Sequence, residues 1–198
     1  MTTLYHIKSS TMSPCSMDKG DYSKARETWL CHGCASPKIG SGAIDVILQA
    51  VPPPIPLNFV SGIGVGIISE IFLNALGMET IVPFLLLGTV SGPDCRAIKD
   101  FRTFRGRHML FIRGDERSTY RKCEVCGRDG YFPMGKKYFV GQIPNVPIYE
   151  SQYHQIIVTE ELFQRISHIK WKQLSMEKIV SRIEPIDLKP DFPTISPG

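Results

Sequence analysis

The chain has 198 residues, of which 42% are hydrophobic and 21% are charged, and its formal net charge at pH 7 is +4. These proportions are those of a folded globular protein and exclude a disordered chain. No run of about 18 apolar residues is present, which argues against a membrane-spanning helix. Residues 1–16 also lack the apolar segment of a signal peptide, so we expect a cytoplasmic protein with no membrane partner.

The first third of the chain is predicted to contain short strands. Apolar and β-branched residues cluster in three segments, and a proline-rich connector at residues 51–56 separates the last two. The predicted strands are residues 4–7, 43–48 and 57–60.

A glycine-rich segment, Gly62-Ile63-Gly64-Val65-Gly66, follows these strands. It has neither the spacing of a dinucleotide-binding loop nor the lysine of a phosphate-binding loop, so it indicates a turn that leads into a helix. The helix is predicted from one apolar stripe, and Gly77 stands where a C-terminal cap belongs. The residues of this stripe are Ile68, Ile71, Phe72, Ala75 and Leu76.

The rest of the chain is predicted to be rich in short strands. These are residues 81–90, 108–113, 119–122, 131–134, 137–140 and 156–158. Residues 108–113 and 119–122 are predicted to form a hairpin whose second arm leads to Cys123. Thr159 is expected to cap a helix with Leu162, Phe163 and Ile166 on its apolar face. An extended segment follows at residues 171–179, and residues 185–198 are expected to form a loose tail.

Four of the six cysteines form two Cys-x-x-Cys pairs, Cys31 with Cys34 and Cys123 with Cys126. In a reducing compartment such pairs indicate metal ligands or redox sites better than structural disulfides. Four thiolates at about 2.3 Å fill the tetrahedral shell of Zn²⁺ and leave no open position for catalysis. The sequence therefore predicts one structural zinc site of the zinc-ribbon kind.

Other interpretations of the cysteines remain open. A thioredoxin-like redox pair would precede a helix, and neither pair does so convincingly. An iron–sulfur cluster also uses four thiolates, although the spacing favours zinc. Gly33 and Gly127 are expected to allow the positive φ of tight turns. Cys15 and Cys95 are expected to be small buried residues.

The two pairs are far apart in the sequence. Residues 35–122 separate them, a stretch of 88 residues, whereas a compact zinc ribbon has about 15 to 20. We therefore expect one domain over residues 1–198, in which residues 35–122 are a long insertion closed by the metal.

Basic residues are concentrated between positions 95 and 137, which we call the basic stretch. It contains 12 Lys and Arg and 5 Asp and Glu, and aromatic residues lie among them. This pattern is compatible with nucleic-acid binding, with a protein interface and with a solvated basic surface. Arg102, Arg105 and Arg107 are the residues we predict to contact a partner.

No catalytic motif is recognisable in the sequence. Neither HExxH nor GxSxG occurs, and no pair of carboxylates is placed in a recognisable pattern. We therefore expect a protein that is not an enzyme.

Three segments together resemble the double-CxxCG motif proteins of bacteria: residues 29–34 (WLCHGC), 104–107 (FRGR) and 123–127 (CEVCG). Residues 157–163 and 171–174 are similar to the ending of those proteins and of immunity proteins in polymorphic toxin systems. The resemblance implies a protein that binds and neutralises a cognate toxin in the producing cell. The alternative is a zinc-ribbon protein that binds nucleic acid.

These observations together predict an α+β fold. We expect mostly antiparallel strands with a few short helices, held together by the four-cysteine zinc site.

Overall fold

Strands dominate the protein, and the computed structural model describes residues 3–9, 15–17, 19–34, 38, 42–61, 65–115, 117–127, 129–132, 134–140, 143–152 and 154–182. The predicted tail at residues 185–198 lies outside this part of the chain. In chain order the elements are β1 (Thr3–Ser9), α1 (Lys19–Trp29), β2 (Val46–Ile47), β3 (Leu57–Val60), β4 (Val65–Ser69), α2 (Glu70–Leu76), α3 (Met78–Ile81), a 3₁₀ turn (Val82–Phe84), β5 (Leu85–Ser91), β6 (Ala97–Gly106), β7 (Met109–Leu110), β8 (Thr119–Lys122), β9 (Asp129–Phe132), β10 (Tyr138–Val140), β11 (Ile148–Ser151), β12 (Ile156–Thr159), α4 (Glu160–Ser167) and β13 (Leu174–Arg182).

A six-stranded sheet is formed mainly by the two ends of the described chain. Its order is β10-β13-β1-β12-β11-β7. The central strand β1 pairs antiparallel with β12 and with β13, whereas the edge strands β7 and β10 join their neighbours in parallel. The α+β class and the mostly antiparallel pairing predicted from the sequence are confirmed.

A five-stranded sheet is formed entirely by residues between the two cysteine pairs. Its order is β2-β5-β6-β4-β3, and only the β2–β5 pair is parallel. The sheet is curled, and residues 15–17 bridge both of its edges. Cys15 pairs with Val60 at the end of β3, and Met17 pairs with Leu48 directly after β2. The edges of the sheet are thus paired rather than exposed.

The hydrophobic core has three parts. One lies between the two sheets and includes α2 and α4, with residues such as Phe72, Phe104 and Leu162. A second fills the inside of the curled sheet and is covered by α1, whose Ala25 is buried there. The third packs on the opposite face of the six-stranded sheet, around Tyr149.

The predicted helix after the glycine-rich segment is confirmed, with a different buried face. It begins after Ser69, whose hydroxyl accepts a hydrogen bond from the Phe72 N–H, and ends at Gly77 with φ of 91°. Ile68 belongs to β4 and Ile71 is 72% exposed. The buried face is therefore formed by Phe72, Leu73 and Leu76.

Several elements were not predicted, among them α1, β4, α3, β6 and β11, and one predicted pairing is wrong. Helix α1 has a polar sequence, and β6 lies in the basic stretch, so neither was recognisable from apolar periodicity. The predicted hairpin of residues 108–113 with 119–122 does not form. Strand β8 pairs instead with β9, across the second cysteine pair, and β7 pairs with β11.

Candidate metal centre

The first cysteine pair follows the C-terminal end of α1. Residues 32–34 form a turn directly after Leu30 and Cys31, both of which are buried. Lys38 holds this end of the helix, since its backbone N–H donates to the Trp29 carbonyl at 2.7 Å and its ammonium group donates to the Glu27 and Thr28 carbonyls. Such contacts satisfy carbonyl groups that a helix end leaves without partners.

The second cysteine pair lies in the turn of the β8–β9 hairpin. Residues 124–126 form the turn, and the Gly127 N–H donates to the Cys123 carbonyl at 2.8 Å. Gly127 has φ of 67°, so the expectation of a positive φ is confirmed there.

Gly33 is required for a different reason from the one expected. It is not among the residues with positive φ, but a Cβ atom at this position would lie 2.6 Å from Cγ2 of Val125 and 3.1 Å from Sγ of Cys123. The absence of a side chain at Gly33 therefore lets the two turns come into contact.

The four predicted ligands come together although Cys123 lies 92 positions after Cys31, and Cys126 lies 92 positions after Cys34. Sγ of Cys31 lies 3.8 Å from Sγ of Cys123, and Sγ of Cys34 lies 3.7 Å from Sγ of Cys126. All four sulfur atoms lie within 4.8 Å of one another. A disulfide would require about 2.05 Å, so the sulfurs are not bonded to each other, and the arrangement is compatible with a metal ion.

The local backbone favours the thiolate form of the two buried cysteines, Cys31 and Cys123. Hydrogen bonds from the Cys34 and Gly33 N–H groups lower the pKa of Cys31 to about 6, although burial acts in the opposite direction. The Gly33 N–H lies 3.4 Å from this sulfur. The pKa of Cys123 is lowered in the same way by the Cys126 and Val125 N–H groups. Because thiolates are the form that binds metal, these hydrogen bonds prepare the site for a cation.

The remaining cysteines lie outside this cluster. Cys15 is buried, as expected, in the curled sheet, and burial raises the pKa of its thiol to about 11. Cys95 is exposed, so the expectation that it is buried is wrong. It adopts φ of 60° in the link between β5 and β6.

The three arginines predicted to contact a partner lie in different environments. Arg102 is partly exposed and its Nε donates to Oε1 of Glu70 at 2.6 Å. Arg107 is half-buried after the end of β6, where its backbone N–H donates to the Phe84 carbonyl. Arg105 is 1% exposed. Since a buried side chain offers no surface to another molecule, we do not assign Arg105 to a partner-binding surface.

Arg105 instead belongs to a buried polar cluster that sequence reasoning missed. Its Nε donates to both carboxylate oxygens of Glu150, at 3.1 and 3.2 Å. The Gly106 N–H donates to the same carboxylate, and Nδ1 of His154 lies 2.5 Å from Oε1. Burial opposes ionisation of Glu150, but Arg105 and His154 outweigh this effect and hold its pKa below the ordinary value.

Three phenylalanines of the basic stretch are internal. Phe101, Phe104 and Phe111 are all buried, so their rings are not available to stack on nucleic-acid bases.

No family model matches the chain, and no curated protein matches it. Among the helices of the described residues, none is long and apolar enough to cross a membrane.

Proposed function

We propose that Cys31, Cys34, Cys123 and Cys126 bind one Zn²⁺ ion. The observation that carries the proposal is the spacing of the sulfurs. A tetrahedral site with zinc–sulfur distances of about 2.3 Å has sulfur–sulfur edges of about 3.8 Å. In this protein the Sγ atoms of Cys31 and Cys123 are 3.8 Å apart, and those of Cys34 and Cys126 are 3.7 Å apart.

The role we propose for the metal is structural. Four thiolates complete the tetrahedral shell of zinc and leave no position for a substrate or a water molecule. The ion would join the end of α1 to the tip of the β8–β9 hairpin. It would thereby close the segment that contains the whole five-stranded sheet.

Metal analysis of the purified protein tests this proposal. We expect one zinc per chain, and we expect Cys31→Ser to lose the metal and several kcal/mol of stability, because metal binding contributes to folding. Cys95→Ser is the matched control, since Cys95 lies outside the cluster. Protein purified without chelators that contains no metal, or Cys31→Ser with full metal content, would contradict the proposal.

At the level of the whole protein, we propose an immunity-type protein that binds and neutralises a cognate bacterial toxin inside the producing cell. This proposal rests on the resemblance of the sequence motifs and on a closed metal site, which suits a binding protein better than an enzyme. Exposed basic residues such as Lys99, Lys122 and Lys136 would favour a partner with an acidic surface. Clustered charge of this kind mainly accelerates association.

The second proposal is tested by measuring binding kinetics with the product of the adjacent gene. We expect the Arg102→Gln/Arg107→Gln variant to associate more slowly and with a weaker salt dependence, while dissociation changes less. Lys170→Gln, at an exposed position outside the basic stretch, should behave as wild type. Unchanged association would place the interface elsewhere.

The alternative function is nucleic-acid binding, and it is weaker because Phe101, Phe104 and Phe111 are buried. Tight binding of random nucleic acid, with affinity that falls steeply as salt rises, would favour this alternative.

A further inference from the structure

Two short sulfur–sulfur contacts join the two Cys-x-x-Cys motifs, and we call each of them a close pair. The two close pairs differ in their access to solvent. Cys31 and Cys123, which form one pair, are 5% and 9% exposed. Cys34 and Cys126, which form the other, are both exposed. Each close pair joins one turn to the other, so neither consists of two cysteines of the same Cys-x-x-Cys motif.

The exposed pair is therefore the part of the centre that a dissolved oxidant reaches first. Oxidation of cysteine follows both thiolate character and exposure. With a metal bound all four cysteines are thiolates, so exposure is what separates the two pairs. The other cysteines of the chain are poorer candidates for an internal disulfide. Cys15 is buried with a thiol that remains protonated, and Cys95 lies outside the cluster.

We propose that Cys34 and Cys126 are an oxidation site, at which hydrogen peroxide converts the metal-bound pair into one disulfide and releases the ion. This inference rests on the proposed zinc site. The disulfide would link the two turns. A covalent connection between α1 and the β8–β9 hairpin would then replace the connection through the metal.

The chemistry balances with one peroxide per disulfide. One exposed thiolate attacks a peroxide oxygen, which breaks the O–O bond and gives a sulfenic acid and hydroxide. The second thiolate attacks the sulfenic sulfur, forms the S–S bond and displaces another hydroxide. Two protons from the buffer convert the hydroxides to water. The two sulfurs have lost two electrons, and the ion, left with two thiolates, dissociates.

The geometry requires only a small movement. The sulfurs of Cys34 and Cys126 are 3.7 Å apart and must approach to about 2.05 Å. Both cysteines lie at the exposed ends of turns, where little packing opposes such a shift.

The test is titration of the metal-loaded wild-type protein with hydrogen peroxide. Metal content is measured before oxidant is added, which tests the proposed zinc site separately from this inference. Released zinc is then followed with a chromophoric chelator, free thiols are counted, and disulfides are located by non-reducing peptide mapping.

We expect two thiols to be lost for each zinc released, so that the count falls from the six cysteines of the chain to four. The first disulfide should join Cys34 to Cys126, and a dithiol with added zinc should restore the starting state. In Cys95→Ser the same two thiols should be lost, which shows that Cys95 does not take part.

Three results would overturn the inference. The first disulfide could form within one Cys-x-x-Cys motif, the metal could remain bound after two thiols are lost, or the exposed sulfurs could be oxidised to sulfinic acid without any disulfide.

Discussion

The buried pair of Arg105 and Glu150 shows how a basic residue can be structural rather than functional. Both side chains are at most 1% exposed, and Glu150 also interacts with His154 and with the Gly106 N–H. Removing one partner of a buried ion pair leaves the other charge without compensation in the interior. We therefore expect Arg105→Met to lower the free energy of unfolding by about 3–5 kcal/mol in urea denaturation.

The pair of Arg102 and Glu70 provides a matched control on the same strand. Its side chains are 42% and 24% exposed, so water already solvates much of both charges. Arg102→Met should change the stability by about 1 kcal/mol or less. Equal losses in the two variants would contradict the assignment of Arg105 to the interior.

His6 gives the folded protein a predictable dependence on pH. It is buried in β1, where it is 2% exposed. Burial is the main reason that the pKa of His6 is lowered to about 4, and the positive charges of Lys137 and Lys8 lower it further. Gln155 and Glu177 oppose the shift without cancelling it.

The sign of the effect follows from the lowered pKa. Between about pH 6.5 and pH 4 the unfolded chain binds a proton at His6 and the folded protein does not. Stability should therefore fall as the pH drops through this window, by on the order of 3 kcal/mol in total.

Urea denaturation at several pH values measures this dependence. We expect His6→Gln to flatten the slope between pH 6.5 and 4, whereas His168→Gln, at an exposed position, should retain it. A slope that is the same in wild type and His6→Gln would show that other groups cause it.

The end of α2 depends on one glycine. Gly77 has φ of 91°, and a Cβ atom there would lie 2.3 Å from a guanidinium nitrogen of Arg165. The same guanidinium nitrogen donates to the Leu76 carbonyl at 3.2 Å. An alanine would therefore be strained and would also displace a contact between α2 and α4.

We expect Gly77→Ala to lower the melting temperature, with a loss of about 1–3 kcal/mol in stability. Gly42→Ala is the matched control, because no atom lies within 4 Å of the added Cβ and the backbone there is not in the positive-φ region. If both variants melt at the same temperature, the cap does not need glycine.

Elements with regular apolar patterns were predictable, and elements rich in charge were not. The final helix was predicted because Thr159 precedes two glutamates and an apolar face, and α4 begins at Glu160. Strand β6 was missed because its buried residues include Arg105, so the alternation of apolar and polar residues is broken. Since side chains alternate in a strand, Arg102 and Arg105 lie on opposite faces, which a count of charges cannot reveal.

The four-cysteine cluster was predictable because its residues carry the information locally. Two Cys-x-x-Cys pairs identify the ligands whatever lies between them. The long-range features of the site were not recognisable, since the contact of Gly33 with Val125 and the pairing of β8 with β9 depend on how the whole chain packs. The number of domains stays a prediction.

Two segments that are distant in the sequence meet at the four-cysteine cluster. The five-stranded sheet lies between the cysteine pairs in sequence, and its curled interior is covered by α1. The first pair follows α1 and the second lies at the hairpin turn, so a bound ion would fix both ends of this part of the fold. A metal in this position would stabilise the fold by restricting the unfolded chain as well as by its bonds to sulfur.

X-ray absorption spectroscopy at the zinc edge tests this central claim most directly, because it reports the metal and its ligands together. We predict a zinc edge with four sulfur neighbours at about 2.3 Å and no nitrogen or oxygen ligand. A shell that contains nitrogen or oxygen, or fewer than four sulfurs, would contradict the account.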